Sequence, residues 1–354
     1  MSRDPLRLLA AAIVAASIAM ATAGCGADES AQASSPASGT TELRLGYFPN
    51  VTHATAIVGV EKGYFARSLG TSTTLKPANF NAGPAAIEAL FSDAIDATYI
   101  GPNPTVNGFV QSKGDAVRVI SGAASGGAFL VVRKDINTPN DLKGTTIATP
   151  QLGNTQDVAL RHWLTTQGLT STLTGGGDVK IAPQENPQIL DAFAAGAIDG
   201  AWVPEPNATR LVGAGAKVLV DERTLWPGGS FVTTNLVVNP KYLKEHREVV
   251  KRLVAGQVEA NTWLNAKPAE AQQVVGDAIA KLSGKALPEG VIAKAWKNIT
   301  FTDDPVASSL LDGAKHAAEV GTLDDGAPDL DGLYDLSILN EVLREKGLPE
   351  VTQP

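Results

Sequence analysis

Four short segments of this 354-residue chain are dense in small hydrogen-bonding side chains and contain no Lys or Arg: residues 48–53, 101–105, 121–127 and 151–156. They offer Phe48, Asn50, Thr52 and His53, then Asn103 and Thr105, then Ser125, and finally Gly153, Asn154, Thr155 and Gln156. Neutral donors can hold a small oxyanion that must later be released, because they avoid the desolvation cost of a buried ion pair. Residues 151–156 stand just before a helical pattern, where free N–H groups and the helix dipole favour an anion. Asn154 or Thr155 could equally be no more than the cap of that helix. Glu205, in a second Pro-bearing loop, could hinge two lobes, pair with Arg210 one turn later, or meet a cationic group on a ligand. Trp202, Phe48 and Phe129 could supply apolar contact or fill a core. His53 is not expected to bind metal, since the other three His stand isolated in helical stretches. Catalysis is not expected either. GxSxG, HExxH and glycine-rich phosphate loops are absent and Cys25 is the only cysteine, so no catalytic residue and no cofactor is assigned.

The elements that must position these loops are announced by a repeat. Residues 86–104 read AIEALFSDAIDATYIGPNP and residues 189–207 read ILDAFAAGAIDGAWVPEPN, which align Ala94-Ile95-Asp96 on Ala197-Ile198-Asp199 and Tyr99 on Trp202. Each copy is an apolar-periodic helix, a short turn, a strand and a Pro-bearing loop. Two copies predict two lobes of related α/β design, with the strand-end loops 101–105 and 204–207 as walls of one cleft. Further strands are expected at 42–48, 73–77, 116–122, 145–149, 179–183 and 217–220, with helices over 53–68, 104–113 and 154–167. The extended runs 128–133, AFLVVR, and 231–238, FVTTNLVV, predict two crossings, near Val131 and Thr234. The first lobe is then discontinuous, 42–130 with 235–354, and the second is 131–234. Helices over 240–266, 268–282, 288–296, 305–319 and 336–345 follow, the first four beginning at Pro, and are expected to pack on the first lobe.

Arg3 and Arg7 precede an apolar run, 8–21, too short for a comfortable membrane span, so residues 1–25 read as a signal peptide. Thr22-Ala23-Gly24-Cys25 resembles a bacterial lipobox, which makes Cys25 the expected lipidation site and gives the lone thiol a purpose. Residues 26–41, rich in Ala, Ser, Gly and Pro, cannot bury a core and read as a flexible tether. The charge balance of 29 basic against 37 acidic residues, net -8, argues against a nucleic-acid partner. Such a body is not drawn to an anionic membrane surface, so the lipid would do the anchoring.

LRLGYFPNVTHA from Leu43, EKGYF from Glu61, DLKGTTIATP from Asp141 and FAAGAIDGAW from Phe193 resemble the solute receptors of ABC importers for aliphatic sulfonates, taurine and nitrate. Thiamine-pyrimidine synthases are similar in fold. The resemblance runs from Leu43 to about Ala266 and implies an α/β type II periplasmic-binding-protein fold: two lobes joined by two hinge strands, with extra C-terminal helices. It also implies a monomeric receptor outside the cytoplasm that delivers solute to a permease driven by a separate ATPase. Where the family often has an aromatic-Asp-Pro-aromatic run, this chain has Pro204-Glu205-Pro206-Asn207, keeping the acid and the following Pro. A small organosulfonate is the expected ligand, with nitrate or bicarbonate and a thiamine-pyrimidine-like solute as alternatives. An enzyme of similar fold would need a Lys, a sacrificial His and a Cys-rich iron motif, and one lipobox Cys cannot replace that motif. A structural or adhesion lipoprotein is the third class considered.

Overall fold

The computed structural model describes residues 40–323, 328–352 and 354. The signal-peptide stretch, the lipobox Cys25 and tether residues 26–39 lie outside the described residues. From Thr40 onward the chain forms one compact unit.

The unit begins with β1 (Thr41–Tyr47), α1 (Ala54–Glu61), α2 (Tyr64–Leu69), β2 (Thr73–Asn79), α3 (Gly83–Phe91), β3 (Ala97–Ile100), α4 (Pro102–Gln111) and β4 (Arg118–Gly126). Next come β5 (Ala128–Val132), β6 (Thr146–Thr149), α5 (Thr155–Thr166), β7 (Lys180–Pro183), α6 (Asn186–Ala194), β8 (Gly200–Pro204), α7 (Asn207–Gly213) and β9 (Lys217–Asp221). The chain ends with β10 (Val232–Val238), α8 (Pro240–Glu245), α9 (Arg247–Ala266), α10 (Pro268–Ser283), α11 (Val291–Trp296), β11 (Ile299–Phe301), α12 (Ala307–Glu319) and α13 (Ser337–Glu345).

Two sheets result, a six-stranded one in the order β11-β4-β10-β3-β1-β2 and a five-stranded one in the order β7-β6-β8-β5-β9. In each, three strands run parallel, the fourth runs against them and the fifth again runs with them, so β2-β1-β3-β10-β4 matches β7-β6-β8-β5-β9 strand for strand. This is the two-lobed α/β arrangement expected from the repeat, and the two aspartates of the repeat show why the motif recurs. Asp96 Oδ2 accepts from Arg44 N at 2.7 Å, and Asp199 Oδ2 accepts from Thr146 N at 2.8 Å. The Asp96 and Asp199 amides in turn donate to Arg44 O and Thr146 O, at 2.9 and 2.8 Å. Each aspartate thus pins the entry of its strand to the neighbouring parallel strand. Each also faces an arginine, Arg44 at 2.5 Å and Arg133 at 3.4 Å.

Both crossings lie slightly earlier than Val131 and Thr234. The chain leaves the first sheet at Gly126-Gly127, where φ values of 80° and 77° suit only glycine, and all of β5 belongs to the second sheet. A Cβ at either glycine would sit 2.7 Å from Asn298 O or 2.5 Å from Ile299 Cγ1, so the crossing is also tightly flanked. The chain returns ahead of Val232, and all of β10 belongs to the first sheet. The helix expected over 53–68 is interrupted at Gly63, φ 68°, and that over 240–266 at His246, φ −132° and ψ 40°. β11, three residues long, carries no periodic signal and adds to the edge of β4.

The main core lies in the first lobe, where α9 packs on α1 and α2 and the C-terminal helices cover the sheet. The second lobe has two smaller cores, one on each side of its sheet. Helix α12 departs from the expectation that the late helices pack on the first lobe alone: it packs on α4 and also on α5 of the second lobe. Among the described residues no helix is long and apolar enough to cross a membrane.

Candidate ligand-binding site

The carboxyl ends of β1, β2 and β3 in the first lobe and of β6, β7 and β8 in the second converge on one cavity. It is lined by Phe48, Asn50, Thr52 and His53 after β1, Ala82 and Gly83 after β2, and Gly101 and Pro104 after β3. The second lobe adds Asn154, Thr155 and Gln156 after β6, Asn186 after β7 and Pro204 at the end of β8, while Thr233 of β10 completes the wall. This is where open α/β sheets gather ligands. The cavity measures about 20 Å³, room for about one water molecule, so the two lobes are closed on each other. Thr155 marks how tightly: a Cβ on Gly101, in the facing lobe, would come within 2.5 Å of Thr155 Oγ1.

His53 is held by its own loop. Its Nδ1 accepts from Phe48 N at 3.3 Å, and its ring stacks on Phe48 with centroids 4.3 Å apart. Burial lowers its pKa to about 3, so the ring is neutral at physiological pH. With Nδ1 accepting, the proton resides on Nε2, which makes His53 a neutral donor. Asn154 is the cap of α5: its Oδ1 accepts from Gln156 N at 2.8 Å, and its carbonyl accepts from Asp157 N and Val158 N. The hydroxyl of Thr155 is buried without a hydrogen-bond partner among the described residues, as is Asn186 Oδ1. No Lys, Arg, Asp or Glu lines the cavity, and among the described residues no three His, Cys, Asp or Glu cluster as for a metal.

Behind this wall stands a buried ion pair that sequence reading did not single out. Asp157 Oδ1 accepts from Thr149 Oγ1 at 2.9 Å and from Arg161 Nη2 at 3.2 Å, while Oδ2 accepts from Gly153 N at 3.0 Å and Arg161 Nε at 2.9 Å. Asp157 and Arg161 are spaced i,i+4 on α5, and the only signal available was that spacing. The pair ties the end of β6 to the turn that precedes α5, and so fixes Asn154 and Thr155.

Of the residues expected at the site, Phe48, Asn50, His53, Asn154, Thr155 and Gln156 line the cavity, and six others do not. Gly153 directs its N–H to Asp157, away from the cleft. Asn103 donates from Nδ2 to Gly313 O of α12 at 2.9 Å, and Thr105 Oγ1 donates to Gly101 O at 2.9 Å, so both serve α4. Ser125 Oγ accepts from Phe231 N at 3.2 Å and joins the two crossings. Trp202 is wholly buried in a second-lobe core, packed edge-on against Trp163, with Nε1 donating to Glu222 at 2.7 Å. Glu205 realises the first of its three alternatives and links the lobes. Its carboxylate accepts from Thr209 N and Oγ1 at 3.0 and 2.8 Å and from Asn298 Nδ2 of the first lobe at 2.8 Å, and its carbonyl accepts from Val51 N at 3.2 Å. Arg210 turns instead to Asn207 Oδ1. Phe129 lies in a core against Ile189 and its neighbours, beneath Arg223.

Asn186 and Gly83 were missed because they fall just ahead of the repeat. Gly83-Pro84 and Asn186-Pro187 open α3 and α6 at equivalent positions, three residues before the aligned copies begin. Extending the alignment would have placed both helix starts on the cleft.

Two α/β lobes of matched topology, closed over a polar cavity at their strand ends, define the type II periplasmic-binding-protein fold of ABC solute receptors. The chain belongs to the NMT1-like family, whose model matches residues 36–279. The taurine-binding periplasmic protein of Escherichia coli K12 is 28% identical over 271 residues, covering 73% of this chain and 78% of that protein. The nitrate-binding protein NrtA of Synechocystis PCC 6803 has a similar fold, with a TM-score of 0.74 over 88% of this chain and 90% of that one at 15% identity. So does the alkanesulfonate-binding protein SsuA of Xanthomonas axonopodis pv. citri, solved bound to MOPS, with a TM-score of 0.65 over 82% and 95% at 21% identity. The protein is thus a solute-binding component of an ABC importer.

Proposed function

We propose that the protein captures a small organosulfonate outside the cytoplasm and hands it to a permease driven by a separate ATPase. It acts as a receptor and converts nothing. The observation that carries this reading is the cleft lining, which combines neutral donors from His53, Thr155 and the start of α5 with no formal charge. A sulfonate stays ionised at physiological pH and presents three acceptor oxygens, which such donors can meet at modest cost. The similarity to a taurine-binding protein supports the class of ligand. Taurine itself fits less well than an unsubstituted alkanesulfonate, because its ammonium would find no carboxylate on the cavity wall: Glu205 is engaged with Thr209 and Asn298. Phe48, Pro104 and Pro204 are available to an alkyl group.

A second reading, nitrate or bicarbonate, is favoured by the size of the cavity, about 20 Å³ in the closed form. Calorimetry against ethanesulfonate, taurine, nitrate and bicarbonate separates the two. Binding of ethanesulfonate with weaker taurine supports the sulfonate reading, and binding of nitrate alone refutes it. We further propose that Cys25 carries a lipid that holds the receptor at the cell membrane. Cys25→Ser should move it from the membrane fraction to the soluble fraction, and persistent membrane association would overturn the anchor.

A further inference from the structure

Two turns along α5 from Thr155, a second feature joins the lobes. His162 of α5 and His316 of α12 stack face to face, with ring centroids 3.5 Å apart and planes inclined by 11°. His162 stands on α5 of the second lobe, and His316 stands on α12, which follows β11 of the first sheet and packs on α4 as well as on α5, so the pair lies where the lobes meet. Both rings are half-buried, so protons can reach them. We infer that this pair couples cleft closure to pH: neutral rings stack and hold the lobes together, and two charged rings repel and part them.

The surroundings make the second proton the decisive one. His162 Nδ1 lies 3.0 Å from Glu319 Oε2, so a single charge on His162 has a carboxylate beside it. A charge on His316 makes no contact of that kind, and the pull of Glu319 and Asp312 on it is outweighed by burial and by His162. Asp312 and Lys315, the other charged groups facing it from α12, bond each other at 2.8 Å, and Trp226 covers its far side at 5.7 Å. Beyond Trp226 is Glu222, whose carboxylate is turned to the Trp202 and Trp226 indoles. Arg161, next to His162 in sequence, is committed to Asp157. The other elements packed on these helices, α4, β6, β8 and β10, contain no charged or titratable residue. Desolvation first, and then the neighbouring His162, lower the His316 pKa in the closed form. The closed form therefore binds fewer protons than a form with the rings apart, and closure weakens as pH falls through the imidazole range.

This inference deepens the receptor reading and rests on it only for the ligand used in the test. Small-angle scattering of the full chain is recorded at pH 8 and pH 5, with and without saturating ethanesulfonate, beside calorimetry of the same ligand. For the native protein, ethanesulfonate should compact the molecule at pH 8 and do so less at pH 5. Its affinity should fall by at most about tenfold per pH unit, the limit for one linked proton. His316→Phe keeps a flat ring on His162 and cannot charge, so compaction and affinity should become equal at the two pH values. His162→Gln, which removes the other charge, is the second variant should the first fail to fold. Equal compaction of the native protein at both pH values, or an undiminished acid loss in a folded variant, overturns the switch. Absence of any sulfonate effect at pH 8 instead overturns the ligand assignment, and the ligand-free profiles then decide the switch alone: the native protein should be more compact at pH 8 than at pH 5, and His316→Phe equally compact at both.

Discussion

Replacing Asp157 with Ala should be the most damaging single change near the cleft. Both partners of the Asp157–Arg161 pair are almost fully buried, with side chains 0% and 2% exposed. Removing the carboxylate strands a guanidinium in the interior, a loss of about 3–5 kcal/mol for a broken buried pair. It also frees Gly153 N and Thr149 Oγ1, which this carboxylate satisfies, at about 1–3 kcal/mol for an unmet buried polar group. These terms overlap, and water entry will relieve part of the second, so about 4 kcal/mol is the expected loss. That is a large share of the roughly 5–15 kcal/mol that holds an ordinary domain together. Arg161 Nη1 still donates to Thr172 O at 2.8 Å, but that bond supplies no counter-charge. Urea unfolding of the native protein, Asp157→Ala, Arg161→Met and the double variant forms a complete cycle. The double variant should be more stable than Asp157→Ala alone, because it leaves no orphan charge. A cost below about 1 kcal/mol for Asp157→Ala, or a larger loss when Arg161 is removed in addition, would refute a stranded buried charge.

Thr155→Val should weaken ethanesulfonate binding by about 1–2 kcal/mol, the worth of a hydrogen bond to a charged group, and leave urea stability nearly unchanged since Oγ1 has no partner among the described residues. Undiminished affinity would remove Thr155 from the site. Asn298→Ala takes away the first-lobe partner of Glu205, so the ligand-bound molecule should scatter as a less compact body with several-fold weaker binding; an unchanged profile would show that this contact does not hold the lobes. Burial raises the Glu222 pKa from 4.5 to about 7 against the opposing indole hydrogen bonds. The folded protein therefore holds its proton more tightly than the unfolded chain, and this contribution to stability is complete below about pH 4.5 and is lost as pH rises through about 7. Urea unfolding across that range should fall with rising pH in the native protein and fall less in Glu222→Gln, and equal slopes would refute the assignment.

The two-lobed plan was legible because helix, turn, aspartate and strand recur in one order, and the aspartates do the same work in both sheets. The crossings were displaced by a few residues because an apolar run marks a strand without saying which sheet it joins; the glycine pair at 126 and 127 held that information. At the site, loops ahead of helices were found from cap residues. Trp202 and Glu205 stand off the cavity wall for different reasons. The inward and outward faces of β8 cannot be told apart when every residue is buried, and the partner of Glu205, Asn298, is 93 residues away in sequence. The same distance effect hid the histidines. Each stood alone in its helix, and only the packing of α12 on α5 brings them together.

The exchange of strands between the two sheets bears on the order in which this chain can acquire its shape. All five strands of the second sheet lie between residues 128 and 221, so that lobe is complete as soon as this stretch is available. The first sheet is different. Its strands β3 and β4 do not touch, and the gap between them is filled by β10, which arrives more than a hundred residues later. A chain emerging from its amino end can pair β1 with β2 and β3 early, but the six-stranded layer stays divided until residue 238 has passed, and its covering helices come later still. Non-local pairing of this kind is slow to form. Pulsed hydrogen exchange during refolding should accordingly protect the amides of β6 and β8 before those of β10. The first lobe, which supplies half of the cleft wall, thus reaches its final form only after the second is complete.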